Sequence, residues 1–279
     1  MWNAPLPKQG AHLAYNVCLA QVDDPDLARR LRLVEPNILS AEQLFHMAAA
    51  LKILHLLRQE DFNPPGVTGK ELEGLYSGRM ARKRGAARFI YDAIKSALEV
   101  CPLCNQRKVE QVDHHLPKTL YPALAVTPLN LVPICSDCNK FKLDQAPVSA
   151  DLQTLHPYYE NVESEKWLQA EVLAGNPAAL RFFVEPPSNW NSVLEARVRY
   201  QFRVCQLGAL YGVHASGELR MLRHNLTNLY QRGGAELVRQ QLVDQADTRR
   251  AVHINSWQTA TYEALAGSRW YCDGGFASI

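Results

Sequence analysis

The sequence predicts an α+β fold, mainly helical, in which a short cysteine-rich centre carrying two strands sits between helical flanks. Three observations lead there. Stretches before residue 96 and after residue 192 place apolar residues at helical spacing. Residues 109–117 read as a short strand and 130–142 as a strand or loop turning into a helix. Four of the seven cysteines fall into two close pairs that bracket those strands. The organisation expected is a helical region with a basic helix over 1–95, a cysteine-bearing core over 96–160, and a β-hairpin with a helical remainder over 161–279.

The chain has 279 residues, 47% hydrophobic and 21% charged, which suits a folded globular protein rather than a disordered one. The stretch MWNAPLPKQGAHLAYNV lacks a basic segment followed by a sustained apolar one, so it does not read as a signal peptide. No apolar run approaches the roughly 18 residues that span a bilayer. A cytoplasmic location and no membrane partner are expected. The net charge of +2 excludes a general polycation, so any affinity for nucleic acid must reside in local patches.

Taken in order, residues 1–38 contain several prolines and are read as irregular. SAEQLFHMAAALKILHLLRQ (40–59) repeats apolar residues at helical spacing, with Ser40 as N-cap and Gln43 in the reciprocal position. FNPPG (62–66) ends that helix. A second helix is expected over 70–76. A third, over 80–99, would turn Phe89, Ile90, Ile94 and Leu98 inward and present a basic face. Arg79, Arg82, Lys83, Arg84, Arg88 and Lys95 stand there against the single acid Asp92.

Downstream, NLVPICSDCNKFK (130–142) reads as a strand or loop turning into a helix, and residues 146–160 as a loop. LQAEVLA and AALRFFVEP, parted by Gly175-Asn176-Pro177, read as a β-hairpin. Helices are expected near 192–211, 217–232, 234–246 and 255–266. Trp167, Trp190, Trp257 and Trp270 are read as core.

An odd number of cysteines without a secretory signal argues against a disulfide framework. Cys101-Pro-Leu-Cys104 and Cys135-Ser-Asp-Cys138 are two C-x2-C knuckles, a spacing that lets a tight turn aim both thiolates at one zinc ion. Four thiolates leave no open coordination position, so such a zinc would be structural. The competing reading is a set of buried thiols or a redox pair, but the βαβ context of a thioredoxin-like pair is lacking. Cys18, Cys205 and Cys272 are read as small buried hydrophobes.

The string CPLC…VDHHLPK…NLVPICSDCNKFK resembles the zinc-knuckle branch of the HNH (ββα-metal) endonuclease family. The resemblance covers residues 101–142. It implies a ββα-metal motif at the centre of the chain and a metal-dependent hydrolysis of DNA phosphodiester bonds. By that resemblance Asp113 is a ligand of the catalytic divalent cation and His114 the general base. Asn130 is the asparagine that orients the loop carrying the base, and Asn139 is the second metal ligand. Many family members carry histidine at the position of Asn139; asparagine there favours a hard cation, Mg2+ or Mn2+, beside the structural Zn2+.

The residue types suit that chemistry. Phosphodiester hydrolysis needs an activated water, and histidine, with an ordinary pKa of about 6.5, can take its proton. A divalent cation can neutralise charge on the phosphate and stabilise the departing oxygen. Neighbouring side chains of a strand point to opposite faces, so His114 and His115 cannot both enter one cleft. His114 is preferred because the family places a hydrophobic residue after the Asp-His pair.

His156, in LHPYYE, could approach the site or serve structure. Lys118, Lys140 and Lys142, with Arg82, Lys83 and Arg84, are candidate phosphate contacts, against the plainer reading of solvated surface charges.

Two functions are weighed. One is an HNH endonuclease acting on DNA, in phage defence or restriction, with a regulatory partner such as an ATPase. The other is a non-catalytic zinc-binding module that grips nucleic acid or protein. A bare zinc module has no need of Asp113, His114, Asn130 and Asn139 at this spacing.

Overall fold

Capping chemistry sets where the first helices of this chain begin. The computed structural model describes residues 3–278 and divides into two compact units, Met1–Asn161 and Val162–Ile279. In the first unit, α1 is Ala11–Leu19 and α2 is Pro25–Leu33. The Asp24 carboxylate accepts from the backbone N–H groups of Asp26 and Leu27, and Pro25 supplies a first-turn φ, so α2 forms in a stretch read as irregular from sequence. Helix α3, Glu35–Ala50, starts ahead of Ser40 because Pro36 occupies its first turn; Ser40 lies inside the helix and does not cap it. Lys52 takes φ +64°, and residues 54–62 continue as 3-10 turns rather than as helix.

Helix α4, Gly69–Leu75, is opened by a capping box between Thr68 and Glu71. A π turn, Tyr76–Met80, follows. The single long basic helix expected over 80–99 does not form. Helix α5 is Arg88–Lys95, and Arg82, Lys83 and Arg84 stand on the turns before it. The cause is Gly85, whose backbone packs so closely on the Arg79 carbonyl that a Cβ there would lie 2.0 Å from the oxygen. Ile90, Tyr91 and Ile94 face inward, whereas Phe89 is exposed and Leu98 only half-buried.

Strand β1, Gln111–His114, pairs antiparallel with β2, Leu131–Ile134, in the register Gln111 to Ile134 and His114 to Leu131. Helix α6, Ser136–Lys142, follows β2 directly. One hydrophobic core joins these strands to the helices before them. It runs from Ala11 through Phe45, Leu72 and Ile90 to Val112, Leu116 and Leu131. The central motif is therefore built into the helical region rather than hung from it.

In the second unit, β3 (Leu168–Leu173) and β4 (Ala179–Val184) form the expected antiparallel hairpin. Helix α7 is Ser192–Val204, capped by Asn191. Helix α8 spans Leu207–Val252 and is broken at Gly233-Gly234, where Gly234 adopts φ +66°. Helix α9 is Trp257–Gly267 and α10 is Arg269–Cys272. Asn255 is fully buried here. Its oxygen accepts from the N–H groups of Trp167 and Leu168, and its nitrogen donates to Glu165 O at 2.7 Å. Trp167, Trp190 and Trp257 are core as expected, but Trp270 is 39% exposed. Among the described residues, no helix is long and apolar enough to cross a membrane.

Candidate metal centre and catalytic residues

The two C-x2-C segments fold into matching tight turns. In the first, Asn105 N–H donates to Cys101 O and Arg107 N–H donates to Cys104 Sγ at 3.4 Å; Asn105 adopts φ +51°, a conformation asparagine tolerates. In the second, Cys135 caps α6 and Cys138 N–H donates to Cys135 Sγ, also at 3.4 Å. The turns meet so that the four sulfurs of Cys101, Cys104, Cys135 and Cys138, all buried, lie within 4.8 Å of one another. Cys104 Sγ and Cys135 Sγ are 3.9 Å apart.

Zinc–sulfur bonds of about 2.3 Å in a tetrahedron place sulfurs roughly 3.8 Å apart, so these four could hold a zinc ion with little movement. Arg107 reaches across from the first knuckle to Asp137 of the second, 2.7 Å away. Glu110 meets Ser136 in the same region. The remaining three cysteines are buried away from this cluster.

Beside the cluster the pleat of β1 separates the motif residues. Val112 and His114 point to the buried face, while Gln111 and Asp113 are half-buried on the other. Asp113 meets two residues of α6. Lys142 Nζ lies 3.0 Å from Asp113 Oδ2 and donates to His114 O at 2.7 Å. The Asn139 carboxamide satisfies its neighbours with its nitrogen toward Asp113, donating to the two carboxylate oxygens at 3.1 and 3.2 Å, and its oxygen accepting from Gln111 Nε2 at 2.8 Å. A carboxylate and a carboxamide that meet here offer the oxygen donors a hard divalent cation takes, the Asn139 amide turning its oxygen toward Asp113 to share one.

His114 is fully enclosed. Its Nε2 is 2.8 Å from Ala125 O and its ring packs edge-on to Tyr76, 4.4 Å between centroids. A carbonyl oxygen only accepts, so Nε2 carries the proton and Nδ1 holds the free lone pair in the neutral ring. Burial pushes the His114 pKa down to about 4, opposed by the Ala125 carbonyl and the Asp113 charge. Lys118 and Lys142 add to the depression. The ring is therefore neutral near pH 7.

Asn130, fully buried, brackets the segment after the histidines. Its Oδ1 accepts from Leu116 N–H at 2.7 Å and its Nδ2 donates to Leu116 O at 2.9 Å. His115 N–H donates to Asn130 O at 2.7 Å, so the whole turn hangs on this one residue.

His115 and His156 go elsewhere. They pack ring against ring, 4.2 Å between centroids, with Phe45, Tyr158 and Tyr159 around His156. Lys140 is exposed and Lys118 half-buried. Lys142, expected as a surface phosphate contact, is instead buried and committed to Asp113. Asp113, Asn139 and Lys142 are thus brought together, whereas His114 leaves the same strand from its opposite face.

Several residues that shape the site carry no chemical signature in the chain. Tyr76 donates to Val112 O at 3.1 Å, and Tyr91 accepts from Val112 N–H at 3.2 Å, so two tyrosines grip β1 beside Asp113. Ala125 supplies the carbonyl for His114 from an apolar stretch with nothing to mark it. Gln111 could have been found from the two-residue period of the strand, which puts it on the face of Asp113.

No family model matches the chain, and no solved structure matches it. The chain is similar to Protein ea31 of Escherichia phage lambda, with 27% identity over 295 residues covering 98% of this chain and 100% of that protein.

Proposed function

We propose that this protein is a metal-dependent endonuclease of the HNH type that hydrolyses DNA phosphodiester bonds. The observation that carries the reading is the meeting of the Asp113 and Asn139 side chains within hydrogen-bond distance, at the join of an antiparallel strand pair and a helix. Asp113 and Asn139 would hold Mg2+ or Mn2+. Lys142 lies against Asp113 Oδ2 and would share the carboxylate with the ion. When bound, such an ion neutralises charge on the phosphate and stabilises the departing oxygen.

The residues of the chain divide the rest of the work. His114, its Nε2–H held by Ala125 O, offers Nδ1 to take a proton from water. The Ala125 carbonyl steadies the protonated ring that results. Asn130 holds the backbone of the turn so that β1 keeps its register. The four cysteines would hold structural Zn2+, tying α6, which carries Asn139 and Lys142, to the segment that leads into β1. The order strand, strand, helix with a cysteine knuckle before the first strand and another opening the helix supports the same reading. Similarity to a phage protein is consistent with a role in the contest between phage and host, in defence or restriction. A partner such as an ATPase could restrain the activity.

The test is cleavage of supercoiled plasmid with Mg2+ or Mn2+ by the protein and by His114→Ala, His115→Ala and Asp113→Asn. Loss of nicking in the His114 and Asp113 variants, with zinc content and circular dichroism unchanged, is the expected result. Failure to cut with either metal would leave the non-catalytic zinc module as the better reading. Loss with His115→Ala and not with His114→Ala would move the base to the neighbouring residue.

A further inference from the structure

The arginine-rich turns between the π turn and α5 enclose a cavity of about 450 Å³, walled by Gly78, Arg79, Arg82 and Arg84 on one side and by Gln21 and Asp23 on the other. Among the described residues no ion pair joins Arg79, Arg82 or Arg84 to a carboxylate, although Asp23 stands at the wall. The Arg79 guanidinium is braced by two carbonyls, Gln21 O and Gly74 O, each 3.3 Å away.

The segment carrying the arginines is not a loose loop. Ala87 N–H donates back to Arg79 O at 3.1 Å, Ala86 N–H donates to Gln21 Oε1 at 2.8 Å, and Gly85 is required where the chain crosses Arg79. Tyr76, ahead of this segment, and Tyr91, behind it, both hydrogen-bond the backbone of Val112, next to Asp113. Arg88 stacks on Tyr91 at 4.3 Å and donates to Ala81 O, which closes the frame. The cavity is thereby held in fixed register with β1.

We infer that the cavity formed by Arg79, Arg82 and Arg84 binds a backbone phosphate of a nucleic acid, at a fixed offset from the residues of β1. Guanidinium groups suit this ligand because their planar donors match phosphate oxygens two at a time. One guanidinium braced on carbonyls beside two that no carboxylate pairs, on a backbone that cannot collapse, are what an anion site needs and what a merely solvated charge run lacks. The substrate class rests on the nuclease reading; the anion site does not. Lys83, in the same run, does not line the cavity, so its contribution is smaller than that of its neighbours.

The test is binding of a short fluorescein-labelled DNA duplex, read by anisotropy at several salt concentrations without added divalent metal, so that cleavage plays no part. The Arg82→Ala/Arg84→Ala double variant removes two exposed side chains and should keep the fold. It is expected to bind more weakly and to flatten the plot of log affinity against log salt by about 1, the unit expected for one phosphate no longer neutralised. Asp23→Asn is expected to bind more tightly.

Arg220→Ala/Arg223→Ala removes the same charge from the second unit and should leave the slope in place. An unchanged slope in the Arg82/Arg84 variant, or an equal change in the Arg220/Arg223 control, would overturn the assignment. Competition by inorganic phosphate that depends on Arg82 and Arg84, with duplex binding that does not, would overturn the nucleic acid as ligand. Duplex binding through this cavity in a protein that never nicks plasmid would sustain the site while the nuclease reading fails.

Discussion

Lys142 Nζ and Asp113 Oδ2 form an ion pair 3.0 Å long, with the ammonium side chain 6% exposed and the carboxylate 17%. The lysine also donates to His114 O, which closes the end of α6 onto β1. Removing one partner leaves the other charge poorly solvated. Lys142→Met is expected to destabilise the first unit by about 2–3 kcal/mol, below the range for fully buried pairs because Asp113 keeps some solvent. The double variant Lys142→Met/Asp113→Asn should recover part of the loss. Urea titration of the three proteins gives the comparison, and additive losses would show that the pair is not coupled.

Asn130 satisfies both backbone groups of Leu116 in a site without water access. Asn130→Ala orphans a buried N–H and a buried C=O together, and a loss of about 2–4 kcal/mol follows. Asn130→Asp keeps an acceptor for Leu116 N–H but sets an oxygen against Leu116 O, so it should not rescue. Thermal unfolding of the two variants checks this. Full stability in the aspartate form would mean that the second hydrogen bond contributes little.

His114 makes stability depend on pH in a definite direction. Its pKa is about 4 in the folded protein, against about 6.5 in an unfolded chain. As pH falls below 6.5 the unfolded chain takes up a proton that the folded protein refuses. The stabilisation is therefore complete above pH 6.5 and is lost as pH approaches 4, by up to about 3 kcal/mol. Denaturation of the protein and of His114→Gln across that window should show a shallower acid decline in the variant. His253, whose pKa burial also lowers to about 4, acts equally in both proteins and cancels. Parallel declines would count against the assignment.

Gly85 is a second backbone constraint. A methyl group there would lie 2.0 Å from the Arg79 carbonyl oxygen, so Gly85→Ala must push the turn open and break the bond from Ala87 N–H to Arg79 O. A loss of about 2 kcal/mol or more in thermal unfolding is expected. Gly78→Ala, where a Cβ meets nothing within 4 Å, is the control.

Metal analysis should find one tightly held zinc per chain. Stripping it with a strong chelator should lower the melting temperature of the first unit, because four clustered thiols without an ion no longer staple α6 to the strand pair. Cys104→Ser should reproduce the effect in part. Purified protein free of zinc, with the same melting temperature before and after chelation, would remove the metal from this account.

Periodicity and spacing were enough for much of the fold. The strand pair, the helix after it, the β3–β4 hairpin and the approximate extent of α4 and α9 follow from patterns local to each segment. The cysteine cluster was also readable, since the C-x2-C turn fixes two thiols at a time and zinc chemistry asks for four. Boundaries that depend on a competing local signal were not. Pro36 starts α3 ahead of a good-looking cap at Ser40, and Gly85 divides a basic helix that composition alone would have left continuous.

Within the candidate site, residue types came from the chain and partnerships came from the fold. The sequence by itself determined that Asp113, His114, His115, Asn130, Asn139 and two thiol pairs lie within residues 101–142, at a spacing with chemical meaning. Only the tertiary structure decided that Lys142 turns inward to Asp113, that His115 pairs with His156, and that His114 takes its hydrogen-bond partner from Ala125. The physical reason is that a strand's pleat assigns faces but not neighbours. Which group meets a side chain is set by the elements that pack across from it, and those arrive from distant parts of the chain. Tyr76 and Tyr91 make the same point: two residues with no signature hold β1 and the arginine cavity in one frame.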